Sequence, residues 1–178
     1  MKKHFFCFLL VTIVIVSFTS CKVDGYNDYT PQMEISNQAK LRFEGIKADS
    51  IIKFKVATDN SAYVFDSLHV GDTVSFLLRV SSYANKLKEL VITPNDAAAV
   101  ELIVPDSIKQ YFLSSSDFKA GKMYPVDNVY GIVFPVKFTT LKEKETLTYS
   151  LRATSDAEKV ANITGVDIKF PIKKARKN

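Results

Sequence analysis

Thr73-Val74-Ser75-Phe76-Leu77-Leu78-Arg79-Val80 carries Val74, Phe76, Leu78 and Val80 at every second position. Successive side chains of a strand point to opposite faces, so this spacing gathers the four on one apolar face. The same period recurs outward along the chain. Ile52, Phe54 and Val56 alternate with Lys53 and Lys55, and Val100, Leu102 and Val104 flank Glu101. Tyr130, Ile132, Phe134, Val136 and Phe138 share a face of the longest run, followed by Leu147, Tyr149 and Leu151 and by Ile168, Phe170 and Ile172. Between the runs lie Asp59-Asn60-Ser61, Val70-Gly71-Asp72, Thr93-Pro94-Asn95-Asp96, Ala120-Gly121-Lys122 and Thr164-Gly165, all turn chemistry. Alternating runs at this spacing predict an all-β fold, a single antiparallel sandwich or barrel. Pro135 cannot donate to a ladder, so its strand is expected at an edge or bulged there. Helix is expected only as a turn or two at Asp106–Phe112, capped by Asp106, and at Ser155–Lys159.

The chain begins Met1-Lys2-Lys3-His4 and continues with an apolar run from Phe5 to Val16 broken only by Thr12. A short basic region, an apolar stretch of ~7–15 residues and small residues before a cleavage point make a secretory signal. A membrane-spanning helix needs roughly 20 apolar residues, and Thr19, Ser20, Cys21, Lys22 and Asp24 end the run too early. Residues 1–20 are therefore expected to be a cleaved signal peptide. Cys7 leaves with it, so Cys21 is the only thiol of the mature chain and no internal disulfide can form. Residues 21–37 are polar, turn-rich and without an apolar period, as a tether would be. The sandwich is expected over 38–174, and 175–178 reads as a solvated basic tail.

Without the leader the chain keeps 22 basic and 19 acidic residues. This slight excess does not call for a nucleic-acid partner, which an exported protein would rarely meet. Thirteen Phe and eight Tyr indicate an ordered globule, and 158 residues suffice for one core without disulfides.

Phe18-Thr19-Ser20-Cys21 resembles the lipobox of bacterial lipoproteins, although Phe18 stands where leucine is usual. The resemblance implies a diacylglyceryl group on the Cys21 sulfur and cleavage before it, with attachment to the outer membrane through lipid. Two or more long acyl chains hold a protein stably on a bilayer. Taken with the turn and strand Val70-Gly71-Asp72-Thr73-Val74-Ser75-Phe76 and the stretch Tyr149-Ser150-Leu151-Arg152, the chain resembles small Bacteroidetes-type lipoproteins with an immunoglobulin-like β-sandwich behind the lipid cysteine. Exported proteins of such bacteria carry O-glycans at Asp followed by Ser or Thr and an apolar residue. Asp49-Ser50-Ile51, Asp66-Ser67-Leu68, Asp72-Thr73-Val74 and Asp106-Ser107-Ile108 match, which makes Ser50, Ser67, Thr73 and Ser107 candidate acceptors. Ordinary turn duty accounts for the same residues. Asp24 and Asp28 match only in part the acidic signal that sends such lipoproteins to the cell exterior.

The composition is poor in catalytic constellations. His69 is the one histidine after the leader, its near neighbours Asp66 and Ser67 are too close in sequence for a usual triad, and no Gly-x-Ser-x-Gly elbow occurs. One histidine and no free cysteine leave too few zinc ligands, no calcium loop is present, and no cofactor motif appears. Glu34, Glu44, Glu89, Glu101, Glu143, Glu145 and Glu158 offer many carboxylate pairs and no means of choosing one for glycoside hydrolysis. With no Trp, a glycan platform would need Tyr63, Tyr83, Tyr111 or Tyr124. The expected function is a non-enzymatic, lipid-anchored binding or scaffolding module with an envelope protein or glycan as partner. The alternatives are a glycan-binding accessory of polysaccharide uptake and a small hydrolase using paired carboxylates.

Cys21→Ser is expected to abolish incorporation of a palmitate analogue and to leave an uncleaved or soluble precursor. Label retained by the variant would contradict acylation at this sulfur.

Overall fold

The computed structural model describes residues 29–43 and 49–176; the leader, Cys21 and the first part of the expected tether, up to residue 28, lie outside them. In chain order the strands are β1 (Gln32–Ile35), β2 (Gln38–Arg42), β3 (Asp49–Lys53), β4 (Lys55–Val56), β5 (Tyr63–Val64), β6 (Leu68–His69), β7 (Thr73–Ser81), β8 (Leu87–Pro94), β9 (Val100–Leu102), β10 (Lys122–Met123), β11 (Gly131–Thr140), β12 (Lys144–Ser155) and β13 (Ile163–Lys173). A single helical turn, α1 (Asp106–Lys109), follows β9.

The fold is an all-β sandwich. One sheet runs β3-β2-β7-β11-β9, with β1 also paired to β7; the other runs β10-β8-β12-β13-β5-β4, with β6 also paired to β13. Pairing is antiparallel except where β5 and β6 run parallel to β13. The quoted apolar run forms β7, the centre of the first sheet: Val74, Phe76, Leu78 and Val80 are buried while Leu77 and Arg79 are exposed. Across the sandwich, Phe138 of β11 stacks on Phe170 of β13 (centroids 5.5 Å apart, planes at 15°) and tilts against Tyr149 of β12 at 4.9 Å. Phe65, from the link between β5 and β6, covers the other side of Phe170 at 4.6 Å. This aromatic column lies near the middle of the core.

Several expectations need correction. The run Ile52–Val56 is not one strand: β3 belongs to the first sheet and β4 to the second, and the chain changes sheets at Phe54. The ring of Phe54 packs edge-on against Tyr63, Phe65 and Phe76, so burial at the corner is what keeps the alternation going through the bend. The tether expected up to residue 37 ends earlier, because Gln32–Ile35 pairs with β7 and places Met33 and Ile35 against the core. Between β1 and β2 the register slips at Ser36-Asn37. The Ser36 hydroxyl accepts from the Leu77 amide (3.2 Å) and donates to the Gln38 carbonyl (2.8 Å), covering the gap in the ladder. β8 escaped the period-two reading since its buried Leu87, Leu90 and Ile92 are not evenly spaced; a register shift opposite Thr154/Ser155 absorbs the extra residue. Ser155–Lys159 forms no helix, and α1 is preceded by Pro105 with no side-chain cap, Asp106 instead binding Lys109 Nζ at 2.7 Å.

Pro135 sits in an unbulged register with β7. On the other side of β11, pairing with β9 covers only Phe138–Thr140. The Lys137 carbonyl faces that side, accepting from Ile103 N–H at 2.8 Å, and by alternation so does the Pro135 nitrogen. Continuing the β9 register would bring Pro105 opposite Pro135, and neither can donate. The strand is therefore an edge at this point.

Tyr149 is fully buried and its hydroxyl has no hydrogen-bond partner; burial pushes its pKa far above the ordinary tyrosine range. An unpaired buried hydroxyl costs about 1–3 kcal/mol, so Tyr149→Phe is expected to stabilise the fold by about 1 kcal/mol in urea unfolding. Tyr149→Ala, which empties the aromatic column, should cost ~3–5 kcal/mol. A destabilised Phe variant would show that the hydroxyl is satisfied in solution.

Candidate functional site

The early end of β9 leaves an open mouth between the sheets. Its pairing with β11 uses the polar backbone groups of Ala99, Glu101 and Ile103. Alternation then turns those of Val100, Leu102 and Val104 outward, along an edge that carries no further strand among the described residues. Beside this edge runs a groove of about 710 Å³, whose apolar lining includes Ile92, Val100, Leu102, Val104, Phe118 and Leu141, with Glu101, Lys109 and Lys119 also on it. The far wall depends on local chemistry. Phe118 packs edge-on against Phe112 (6.0 Å) and under the Lys109 ammonium (5.6 Å). Gly121, at φ +69°, accepts from the Ile92 amide at 2.8 Å, and a Cβ there would lie 1.9 Å from the Ile92 carbonyl oxygen. Only glycine lets the 118–121 segment come this close. An apolar trough beside an unpaired sheet edge can bind an extended peptide, the edge supplying main-chain hydrogen bonds and the trough taking alternate side chains.

A second assembly occupies the pole where the chain ends. His69-Val70-Gly71-Asp72 is a tight turn with Gly71 at φ +90°, a conformation that favours glycine at its third position. The Asp72 carboxylate is buried, at 1% exposure. It accepts from the His69 amide (2.9 Å) and from the Arg176 guanidinium (3.0 Å). Arg176 also stacks over Phe43 at 4.1 Å, and the His69 ring donates through Nδ1 to the Lys174 carbonyl at 2.7 Å. The expected free tail at 175–178 is thus docked at Arg176, because an Asp–Arg pair and a cation–π contact outweigh the freedom of a terminus. His69 is half-buried in this clasp. It shares a groove of about 690 Å³ with Glu143, Glu145, Lys173 and Lys174. Nearby Lys144 donates to Asp96 at 3.0 Å, which together with the Ala98 amide holds the Asp96 carboxyl below its ordinary range.

The candidate acceptor hydroxyls are scattered. Ser107 is exposed on α1, Ser50 and Ser67 are half-buried, and the Thr73 hydroxyl bonds that of Thr139 at 2.9 Å across β7 and β11. Cys21 and Glu44 lie outside the described residues. Of the tyrosines, Tyr83 and Tyr111 are exposed, whereas Tyr63 and Tyr124 are half-buried. Among the described residues no group of three or more His, Cys, Asp or Glu side chains could hold a metal, and no helix is long and apolar enough to cross a membrane. The alternation of Val100, Leu102 and Val104 was visible in the sequence. That these residues line an edge facing open space was not.

No family model matches the chain, and no curated protein is significantly similar to it. Among solved structures it is similar to the cohesin module of a family 33 glycoside hydrolase from Clostridium perfringens, with a TM-score of 0.36 and 11% identity over 78% of this chain and 99% of that one. It is also similar to domains 4 and 5 of the S-layer protein SbsC, with a TM-score of 0.32 and 11% identity over 86% of this chain and 81% of that one.

Arg176→Ala is expected to cost ~1–3 kcal/mol in urea unfolding, because it leaves a buried carboxylate without its charged partner. A loss below ~0.5 kcal/mol, the range of ordinary surface changes, would mean that water replaces Arg176 at Asp72.

Proposed function

We propose that the chain is a lipid-anchored envelope protein of the outer membrane, and that its sandwich acts as a non-enzymatic binding module. The observation that carries this reading is the apolar groove of about 710 Å³ along the open edge of β9. Backbone groups of Val100, Leu102 and Val104 give such a groove a main-chain recognition surface, and Lys109 and Lys119 bring positive charge to it. The fitting partner is an extended, apolar segment of another envelope protein, joined as an extra strand. Anchoring through Cys21 would hold this surface at the membrane and raise the effective concentration of partners fixed in the same layer.

A photoreactive phenylalanine analogue in place of Lys119 should crosslink an envelope protein in intact cells. The same analogue in place of Lys169, on the outer face of the second sheet, should not. Leu102→Pro removes an outward N–H that serves no bond to β11, so it should leave the circular dichroism spectrum unchanged and abolish the crosslink. Equal crosslinking at Lys119 and Lys169, or a crosslink indifferent to Leu102→Pro, would overturn the edge-docking reading.

A further inference from the structure

The chain enters the sandwich at the pole opposite Arg176, and that pole carries a compact set of exposed tyrosines. Tyr29, Tyr83 and Tyr130 are 54%, 47% and 41% exposed. The rings of Tyr29 and Tyr83 lie 5.3 Å apart, and Tyr83 donates from its hydroxyl to Gln32 Oε1 at 2.5 Å. Tyr130 is tied to the same turn through its carbonyl, which accepts from the Ser82 amide (2.9 Å) and the Ser82 hydroxyl (2.8 Å). The scaffold beneath is rigid. The buried Asn85 donates to the Tyr29 carbonyl at 2.9 Å, and the Ser82 hydroxyl also reaches the Asn85 carbonyl at 2.5 Å.

Tyr83 is held at φ +56°, a left-handed conformation that disfavours an aromatic residue and suits Gly or Asn. Neither backbone preference nor burial explains a tyrosine there. Strain of this kind concentrates at positions kept for a task.

Where the chain leaves the fold decides what this patch meets. Tyr29 lies eight residue steps beyond Cys21, so the intervening segment spans at most about 28 Å when fully extended. The sandwich is longer: β12 alone has twelve residues, about 40 Å at ~3.3 Å each. A lipid on Cys21 therefore holds the tyrosine pole near the headgroups and the Arg176 pole far from them. Tyrosine suits that boundary, with an apolar ring for the acyl side and a hydroxyl for water.

We infer that the pole bearing Tyr29, Tyr83 and Tyr130 is a membrane-contacting face that rests on the bilayer to which Cys21 is anchored. The inference rests on the lipid-anchored reading above and adds an orientation to it: the sandwich stands on this pole and presents its C-terminal clasp outward. The occupant is the phospholipid surface. Charge plays little part, since Lys86, Lys88 and Lys159 near the pole are balanced by Asp127, Asp156 and Glu158.

The chain contains no Trp, so single substitutions give clean fluorescent reporters. Tyr83→Trp and Tyr130→Trp would report from the pole, and Leu141→Trp, 48% exposed at the opposite end, from the far side. Each full-length protein would be expressed with a palmitate analogue and reconstituted in phosphatidylcholine vesicles with chain-brominated lipid. The inference expects at least twofold quenching of both pole reporters, little change on raising the salt, and no quenching of Leu141→Trp. Label present with all three reporters unquenched would overturn the pole contact while leaving the anchor in place, and so would equal quenching of all three. Absence of label would overturn the anchor itself, and the inference with it.

Discussion

One aromatic column joins the two sheets, and the rest of the structure is arranged around it. Phe138 of the first sheet meets Phe170 and Tyr149 of the second, and Phe65 stacks on Phe170, at separations of 4.6–5.5 Å. Sheets in a sandwich pack about 10 Å apart, a gap that interleaved rings fill. The described residues contain no cysteine to staple the layers, so burial of these rings and of the aliphatic faces around them is the main cohesive term. Phe54 carries the same packing to the corner where the chain crosses from β3 to β4.

The edges follow from the limits of that packing. Between β11 and β9 the limit is set by proline: Pro105 and Pro135 would meet in register and offer no donor. The chain turns away into α1 and returns at Gly121, leaving an apolar groove beside an unpaired edge. Such an edge invites association, which a binding module can use.

The two poles are built differently. At one, a buried Asp72 collects the His69 amide and Arg176 and fastens the last residues of β13's extension to the turn before β7. At the other, the buried Ser82 and Asn85 brace a turn that exposes Tyr83. One closed pole and one aromatic pole make the two ends of the sandwich chemically distinct, which is what the proposed orientation on a membrane draws on.

Period-two alternation was enough to specify an all-β fold, a sandwich or barrel, because the pleat maps sequence parity directly onto burial. It located the central strand β7, the long β11 and β12, and the alternating Val100, Leu102 and Val104. The basic and apolar start of the chain and the placement of Cys21 support the proposal of export, since a signal of that kind would be read before the chain folds. Parity does not record which strands are neighbours. Nothing local in Ile52–Val56 says that the chain changes sheets at Phe54, and β8 is hidden by a bulge whose reason lies in its partner β12. Arg176 looked like part of a solvated tail because its partner, Asp72, is 104 residues away. The groove, the clasp and the tyrosine pole are all products of distant segments meeting, so only the tertiary structure could decide them.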